Sequence, residues 1–319
     1  MIMVMQDKND IQAGMGWLAE QGGGEYPEAV RAYFEHYGLD WPEVEHWFGT
    51  FESGGLKLAG HLYRPAVYRA TAVLVHGYLN HSGQLRHLVR YLTERQIAVA
   101  VFDLPGHGLS SGQEAAIDSF GQYTQAVDDF LAVVRPRLAG PYVAVGFSLG
   151  GAIVMDLLAE GRAAAFEKIV LAAPLVHWSL YEQSKKTYKV YSTFTDRISR
   201  FYQKNSSDKA YLAFNRTQDY LHCTSLSLRW VKALFDWNEK IEAMPPCPRP
   251  LRVLQGNKDN TVEWRYNLEK IRQKFPHSTV EMIDGARHEL FNEAQPYRRT
   301  VLETLGASLG VQNELLKGE

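Results

Sequence analysis

One serine of this chain lies where a catalytic nucleophile is expected. Ser148 is the central residue of the segment 146–150, GFSLG, which follows the apolar run 142–145 and precedes a helical pattern over 151–160. A side chain at such a strand-to-helix turn projects from a strained backbone, and small residues two positions away on each side let strand and helix approach each other. The pattern therefore predicts that Ser148 attacks a substrate.

A second segment fits the same expression, GLSSG at 108–112. It lies several residues beyond the predicted strand that ends near Asp103, in a loop rich in glycine and proline, and no helical pattern begins at Gly112. Because structural context decides such motifs, we interpret Ser110 as a turn residue and Ser148 as the functional serine.

A serine hydroxyl needs a base within hydrogen-bonding distance and a carboxylate that orients this base. In an open α/β sheet these groups meet at the carboxyl edge, so only residues just beyond the end of a strand qualify. Asp259, four residues beyond the predicted strand 251–255, is the best acid by this criterion. Asp284 also ends a strand, and we interpret it as a turn residue. Four further acids follow no strand and are expected to be solvated: Asp196, Asp208, Asp219 and Asp236.

The predicted base is His288. It follows the strand 279–283 through a short turn, whereas His277 precedes that strand and belongs at the opposite edge. The resulting chain order is Ser, Asp, His, the order in which such a triad occurs on sheets of this kind. The sequence thus predicts a catalytic triad of Ser148, Asp259 and His288.

The tetrahedral intermediate of acyl transfer needs two donors, usually backbone N–H groups. We expect one from Leu149, next to the nucleophile, and the other from Tyr78, in the loop that follows the apolar run 72–75. His76 and Gly77 belong to the same loop, and we interpret His76 as a brace for it rather than as a second base. Asp103 and His107 are expected to order a neighbouring loop.

The elements that must position these residues alternate between strand and helix. The pattern predicts an α/β fold with a mostly parallel central sheet that is covered by helices on both faces. The alternation stops near residue 178 and resumes near 251, which predicts a core of residues 44–178 and 251–319, an inserted helical cap over 179–250, and an N-terminal helical extension over 1–43. The predicted elements are a hairpin of 44–51 and 56–63, strands 71–75, 97–102, 142–145, 169–173, 251–255 and 279–283, and helices 28–37, 83–95, 119–138 (with Ser119 as a possible cap), 151–160, 267–275 and 297–309.

Composition excludes several classes of protein. Hydrophobic residues make up 45% of the 319 residues and charged residues 22%, as in ordinary globular proteins, and a formal net charge of −2 gives no reason to expect nucleic acid binding. The N-terminus lacks the features of a signal peptide, and no apolar run is long enough to span a bilayer. The two cysteines, Cys223 and Cys247, cannot form a disulfide framework or a zinc site. We expect a cytoplasmic protein without metal or cofactor.

Five segments in order resemble the α/β-hydrolase superfamily, and within it the monoacylglycerol lipase and bacterial lysophospholipase branch. They are VHGYLNHSG (75–83), FDLPGHGLS (102–110), GFSLGG (146–151), GNKDNTV (256–262) and GARHEL (285–290). The resemblance covers about residues 45–310 and implies the α/β-hydrolase fold and a metal-free ester hydrolase that forms an acyl-enzyme. It does not extend to the first 43 residues.

The predicted cap is unusually cationic and aromatic. Residues 179–250 contain twelve Lys and Arg against seven Asp and Glu, together with twelve aromatic residues. Such a cap would favour an acyl chain with an anionic head group, and so a monoacylglycerol or lysophospholipid substrate, and it would allow peripheral contact with the anionic inner surface of a membrane. The same residues would equally form the core and solvated face of the cap itself. An esterase for small esters, an aminopeptidase with Glu182, Asp219 or Glu239 near its pocket, and a non-catalytic binding protein stay open as alternatives.

Overall fold

A computed structural model describes residues 7–18, 20, 25–200 and 202–311 of the chain. Ten α-helices and ten strands occur in these ranges. In chain order they are α1 (Lys8–Ala13), α2 (Glu28–Tyr37), β1 (Val44–Ser53), β2 (Leu56–Pro65), β3 (Ala70–Val75), α3 (Arg86–Thr93), β4 (Ile97–Phe102), α4 (Gly121–Val134), β5 (Tyr142–Phe147), α5 (Leu149–Ala159), β6 (Phe166–Ala172), α6 (Tyr181–Tyr191), β7 (Arg197–Ser199), α7 (Lys209–Thr217), β8 (Ser225–Ser227), α8 (Leu228–Ala243), β9 (Leu251–Gly256), α9 (Trp264–Lys274), β10 (Ser278–Ile283) and α10 (Gln295–Leu309).

Eight strands form one central sheet in the order β1-β2-β4-β3-β5-β6-β9-β10. β2 pairs antiparallel with β1 and β4, and the pairs from β4 to β10 are parallel. The sheet is therefore mostly parallel, as the alternation of strand and helix predicts. Its register aligns the ends of β3, β5, β6 and β9, since Val75 pairs with Gly146, and Ala172 pairs with both Phe147 and Leu254. Residues that follow these strands consequently meet at one edge.

Helices cover both faces of this sheet because its strands are apolar on both sides. Val73 and Val75 point to a core shared with α4, α5 and α8, whereas Ala72 and Leu74 point to a core shared with α3 and α10. All six residues of β3 and of β4 are buried. This packing explains why the two strands appear in the sequence as continuous apolar runs.

Two helices differ from the prediction in how their first turn is formed. The helix expected from residue 83 begins as a 3₁₀ turn, Ser82–Leu85, before α3. Ser119 does not cap α4, because that helix begins at Gly121, and the backbone N–H groups of Asp118 and Ser119 donate instead to Oε1 of Gln122. A side chain inside the helix thus reaches back and binds two backbone N–H groups that precede the helix.

The segment between β6 and β9 contains α6, α7 and α8 and also a small antiparallel ladder of β7 and β8. A wholly helical segment was expected. Each of these strands has three residues, too few for the alternation of apolar and polar positions that identifies a strand in a sequence.

The N-terminal helices pack onto the hairpin of β1 and β2. α2 begins and ends at the predicted residues, Glu28 and Tyr37. Its buried side chains share an apolar cluster with Phe48 and Ala59 of the hairpin and with Leu221 of the segment between β6 and β9. None of the helices in the described part of the chain has the length and apolar character needed to cross a bilayer.

Candidate active site

Ser148 occupies the turn between β5 and α5. Its φ of 52° and ψ of −111° lie outside the ordinary regions for a residue with a side chain, and its N–H donates to the carbonyl of Ala172 at 2.9 Å. The two flanking glycines make this turn possible. A Cβ atom on Gly150 would overlap the carbonyl oxygen of Val75, and one on Gly146 would overlap the carbonyl of Gly150. The predicted strained turn is therefore present, for the predicted steric reason.

His288 joins the serine to an acid. Its Nε2 atom lies 3.0 Å from Oγ of Ser148, and its Nδ1 atom lies 2.8 Å from Oδ2 of Asp259. Asp259 follows β9 and His288 follows β10, so parallel strands deliver both side chains to the carboxyl edge. The structure brings together the three side chains that the sequence places just beyond strand ends.

The carboxylate of Asp259 is buried and fully engaged. Oδ1 accepts from the backbone N–H groups of Thr261 at 2.8 Å and Val262 at 3.2 Å, while Oδ2 accepts from Nε2 of Gln255 at 3.0 Å as well as from His288. Burial alone would raise the pKa of Asp259, but the charge of His288 and these hydrogen bonds outweigh burial and lower the pKa. Asp259 is thus held as an anion whose oxygens point in a fixed direction.

Burial of the His288 imidazole opposes its protonation. The neighbouring Asp259 outweighs this effect through its charge and its hydrogen bond, with a smaller contribution from the charge of Glu289, and the pKa of His288 is raised above its ordinary value. The geometry and the direction of this shift suit a group that takes a proton from Oγ and holds it beside a carboxylate.

The loop after β3 lies directly against the serine. A Cβ atom placed on Gly77 would be 3.3 Å from Cβ of Ser148, so this loop passes within contact distance of the turn. Tyr78 is the next residue in it, and Leu149 is the first residue of α5, whose first-turn N–H groups have no acceptor within the helix. Both predicted oxyanion donors therefore belong to segments that border Ser148.

His76 braces this loop. Its Nε2 atom accepts from the N–H of Leu104 at 2.9 Å, and its Nδ1 atom lies 2.8 Å from the carbonyl oxygen of Gly77, to which it donates. Burial lowers the pKa of His76 to about 3. A neutral imidazole with both nitrogens engaged does not compete with His288 as a base.

The other residues considered from the sequence have structural contacts. Ser110 is buried, accepts from the N–H of Ala59 and donates to the carbonyl of Asp103. The carboxylate of Asp103 accepts from the N–H groups of Ser82 and Leu109 and so ties two loops together. Asp284 accepts from Asn257 at 2.6 Å in the turn after β10.

The expectation that Asp219 is solvated is wrong. The side chains of Asp219 and His81 are both inaccessible to solvent, and Nε2 of His81 lies 3.1 Å from Oδ1 of Asp219. Tyr37 also donates to Oδ1, at 2.8 Å, from 182 positions away in the chain. No local pattern in the sequence could have indicated a partner at that separation.

Comparisons with known proteins agree with this architecture. The sequence profile of the Hydrolase_4 family, described as serine aminopeptidase S33, matches residues 66–295. The chain is 25% identical over 282 residues to the monoacylglycerol lipase of Mycolicibacterium smegmatis, which covers 81% of this chain and 94% of the relative. It is 24% identical over 313 residues to the probable lysophospholipase L2 of Haemophilus influenzae, which covers 88% of this chain and 98% of the relative.

Solved structures show the same fold. A soluble variant of monoglyceride lipase from Saccharomyces cerevisiae, in complex with a substrate analog, matches 85% of this chain and 96% of its own with a TM-score of 0.71 and 19% identity. The predicted α/β-hydrolase fold is confirmed by this likeness and by the sheet order. Since the family profile spans well over half of the chain, the protein belongs to the serine aminopeptidase S33 family of the α/β-hydrolase superfamily.

Proposed function

We propose that this protein is a serine hydrolase that cleaves carboxylic esters through an acyl-enzyme. Ser148 attacks the ester carbonyl, His288 takes the hydroxyl proton and passes it to the leaving alcohol, and Asp259 orients the imidazole. Water activated by His288 then releases the acid. The single observation that carries this proposal is the bridging position of His288, 3.0 Å from Ser148 Oγ and 2.8 Å from Asp259 Oδ2.

The backbone N–H groups of Tyr78 and Leu149 would hold the oxyanion of each tetrahedral intermediate. Contact between Gly77 and Ser148 supports Tyr78 in this role, and the position of Leu149 at the start of α5 supports the second donor. Such donors act where charge develops in the transition state, and losing one typically reduces kcat by about 10²–10³-fold.

Residues 179–250 would act as a cap over this site. We infer the substrate class from the named relatives and from this cap. Monoacylglycerols or lysophospholipids are the preferred candidates, since the relatives named monoacylglycerol lipase and probable lysophospholipase align over most of this chain. One acyl chain also fits under a cap more easily than two.

An exposed surface around α6, the first helix of residues 179–250, has side chains that would bind a membrane surface. We call it the α6 patch, and it combines apolar side chains with lysines around α6: Leu180, Val190, Tyr191 and Phe194, of which Phe194 is 85% exposed, with Lys185, Lys186 and Lys189. Apolar side chains insert between lipid head groups while lysines attract anionic lipids. The patch supports peripheral contact with an anionic membrane surface, such as the inner face of the cytoplasmic membrane.

An aminopeptidase is the second candidate, since the family description carries that name. Such an enzyme must bind a free ammonium and therefore needs unpaired carboxylates near the scissile bond. Of the three acids considered for this purpose, Asp219 already contacts His81, and Glu182 and Glu239 are exposed on the segment's surface. The contact of Asp219 with His81 and the exposure of Glu182 and Glu239 favour the ester hydrolase.

Hydrolysis of a substrate panel tests the proposal. The panel contains monoacylglycerols, lysophosphatidylcholine, short p-nitrophenyl esters and aminoacyl amides, each assayed with wild type and Ser148→Ala. Turnover of the esters by wild type, with a trace at most in the variant, is expected. Full activity of Ser148→Ala would refute the mechanism, and preferential cleavage of aminoacyl amides would favour the aminopeptidase. A non-catalytic binding protein would show neither turnover nor labelling by a fluorophosphonate.

A further inference from the structure

The core holds the loop that carries the proposed oxyanion donor at both ends and through two side chains in its middle. The hydroxyl of Tyr78 donates to the carbonyl of Ala115 at 2.8 Å, and Nδ2 of Asn80 donates to Oε1 of Glu289 at 3.2 Å. His76 at its start accepts from the N–H of Leu104. Ser82 at its end donates its N–H to Asp103 at 2.7 Å. Between these ends Leu79 has a φ of 64°, which a leucine adopts only where the surroundings impose it. The strained middle of the loop also has contacts outside the core.

These further contacts are made by the segment between β6 and β9. The hydroxyl of Tyr78 accepts from the N–H of Ser227 at 3.1 Å, and the carbonyl of Leu79 accepts from the N–H of Cys223 at 3.4 Å. The ring of Tyr78 stacks on Trp230 of α8, with 3.6 Å between the ring centroids. Residues 78 and 79 are thus bound to one stretch of the proposed cap.

Asp219 extends these contacts to the far side of the loop. Its Oδ1 atom accepts from Tyr37 at 2.8 Å and from the N–H of Leu221 at 3.2 Å, and its Oδ2 atom accepts from Nε2 of Gln84 at 2.6 Å. Both oxygens lie within 3.2 Å of Nε2 of His81. One buried carboxylate therefore joins α2, the loop, the following 3₁₀ turn and the proposed cap.

We propose that Asp219 is a positioning residue, which holds His81 and thereby the loop that presents the Tyr78 N–H to the oxyanion. Tyr37 of α2 also binds Asp219, and we call Tyr37, His81 and Asp219 together the clamp. The inference rests on the proposed function and adds a role for two segments outside the triad. The position of the cap therefore affects the rate of the chemical step, because an oxyanion donor that is displaced by about 1 Å loses much of its effect on the transition state.

The clamp also gives the N-terminal extension a function. The match to the family profile begins at residue 66, so α2 lies outside the matched residues. The hydroxyl of Tyr37 nevertheless reaches the carboxylate that holds His81. In this protein the extension stabilises the oxyanion loop instead of forming a separate appendage.

The test compares Asp219→Asn with Asp236→Asn. Asp236 is an exposed acid of α8 that pairs with Lys232, so its variant makes the same chemical change in the same segment without touching the loop. On p-nitrophenyl butyrate, Asp219→Asn should lower kcat about tenfold and leave KM within about twofold of wild type, a fraction of the effect of removing an oxyanion donor. Affinity for a trifluoromethyl ketone, which forms a tetrahedral adduct on the serine, should fall by the same factor as kcat.

A general loss of folding would also lower the apparent kcat at unchanged KM, but the molecules that stay folded would keep the affinity of wild type for the trifluoromethyl ketone. The inhibitor therefore separates the two causes, and Asp236→Asn should match wild type in all three measurements. An unchanged kcat in Asp219→Asn, or an equal loss in both variants, would overturn the proposal while Ser148→Ala still tests the proposed function. If wild type lacks turnover or Ser148→Ala retains it, the proposed function fails first.

Should Asp219→Asn fail to fold, Tyr37→Phe decides the question. This variant removes a single hydrogen bond to Asp219, and the contacts of that carboxylate with His81, Gln84 and Leu221 remain. It should therefore lower kcat only about threefold at unchanged KM. Tyr188→Phe is the matched control, because the ring of Tyr188 packs on Phe235 in the proposed cap, the segment that also contains Asp219. Equal kcat values for Tyr37→Phe, Tyr188→Phe and wild type would overturn the clamp.

Discussion

His288 Nε2 lies 3.0 Å from Ser148 Oγ, although 140 positions separate the two residues in the chain. Replacing this imidazole removes the group that we propose as the acceptor of the serine proton. His288→Gln should therefore lower kcat for p-nitrophenyl butyrate by about 10⁴-fold or more, with little change in the midpoint of thermal unfolding. His277→Gln is the matched control, because His277 precedes β10 at the opposite edge of the sheet. A fall of less than tenfold in His288→Gln would contradict the assignment of the base.

The pH dependence of the reaction should report the same histidine. Only the neutral imidazole accepts a proton, so kcat/KM rises with pH as His288 deprotonates in the free enzyme. Although burial opposes protonation, Asp259 and, to a smaller extent, Glu289 raise the pKa of His288. The midpoint of the acid limb should therefore lie above the ordinary value for histidine of about 6.5.

Asp259→Asn tests the cause of that shift. Loss of the carboxylate removes the main group that favours the imidazolium, so the midpoint should move to lower pH while kcat falls by about 10⁴-fold. The profile is measured with a substrate that has no titrating group. An acid limb centred below pH 6 in wild type, or one that does not move in Asp259→Asn, would argue against this account.

Gly150, two positions after Ser148, has no room for a side chain. A Cβ atom on Gly150 would overlap the carbonyl oxygen of Val75, so Gly150→Ala must push α5 away from β3. We expect a loss of about 2–4 kcal/mol in the free energy of unfolding, measured by urea denaturation, and loss of esterase activity. Gly121→Ala is the control, since only Ser119 Oγ, at 3.5 Å, lies near its added methyl group. Equal stability of the two variants would refute the steric argument.

The α6 patch should bind anionic vesicles. Each lysine near such a surface contributes about 1 kcal/mol, so the double variant Lys185→Glu with Lys186→Glu should lower the partition coefficient at least about tenfold. Binding is measured by sedimentation with phosphatidylcholine vesicles that contain or lack phosphatidylglycerol. Lys57→Glu changes an exposed lysine of the hairpin and should bind like wild type. Equal binding of all variants to both kinds of vesicle would exclude the patch as a membrane contact.

Much of the fold could be predicted because its signals are local. The strands β3 and β4 are buried on both faces, so they appear as unbroken apolar runs. The hairpin of β1 and β2 turns at Gly54 and Gly55, both with positive φ, where glycine is favoured. The start of α4 was not predicted in this way, because the helix begins at Gly121 and the side chain of Gln122 binds the backbone N–H groups of Asp118 and Ser119.

Asp259 and Asp219 show which surroundings of an acidic residue can be predicted from the local sequence and which cannot. Asp259 follows a strand, and parallel strands deliver such residues to one edge, so a topological rule is enough to select it. Asp219 follows no strand and was expected in solvent, yet its side chain is buried against His81 and Tyr37. Its environment is made by α2, the loop after β3 and the segment between β6 and β9, which are distant in the chain.

The sequence by itself determined the order of strands and helices, the strained turn at Ser148 and the choice of Asp259 and His288, because these depend on backbone conformation and on the position of residues relative to strand ends. Only the tertiary structure decided the distances within the site and the burial of Asp219 between α2 and the loop after β3. Contacts of that kind depend on the packing of side chains across 182 positions of chain, which no local periodicity or spacing encodes.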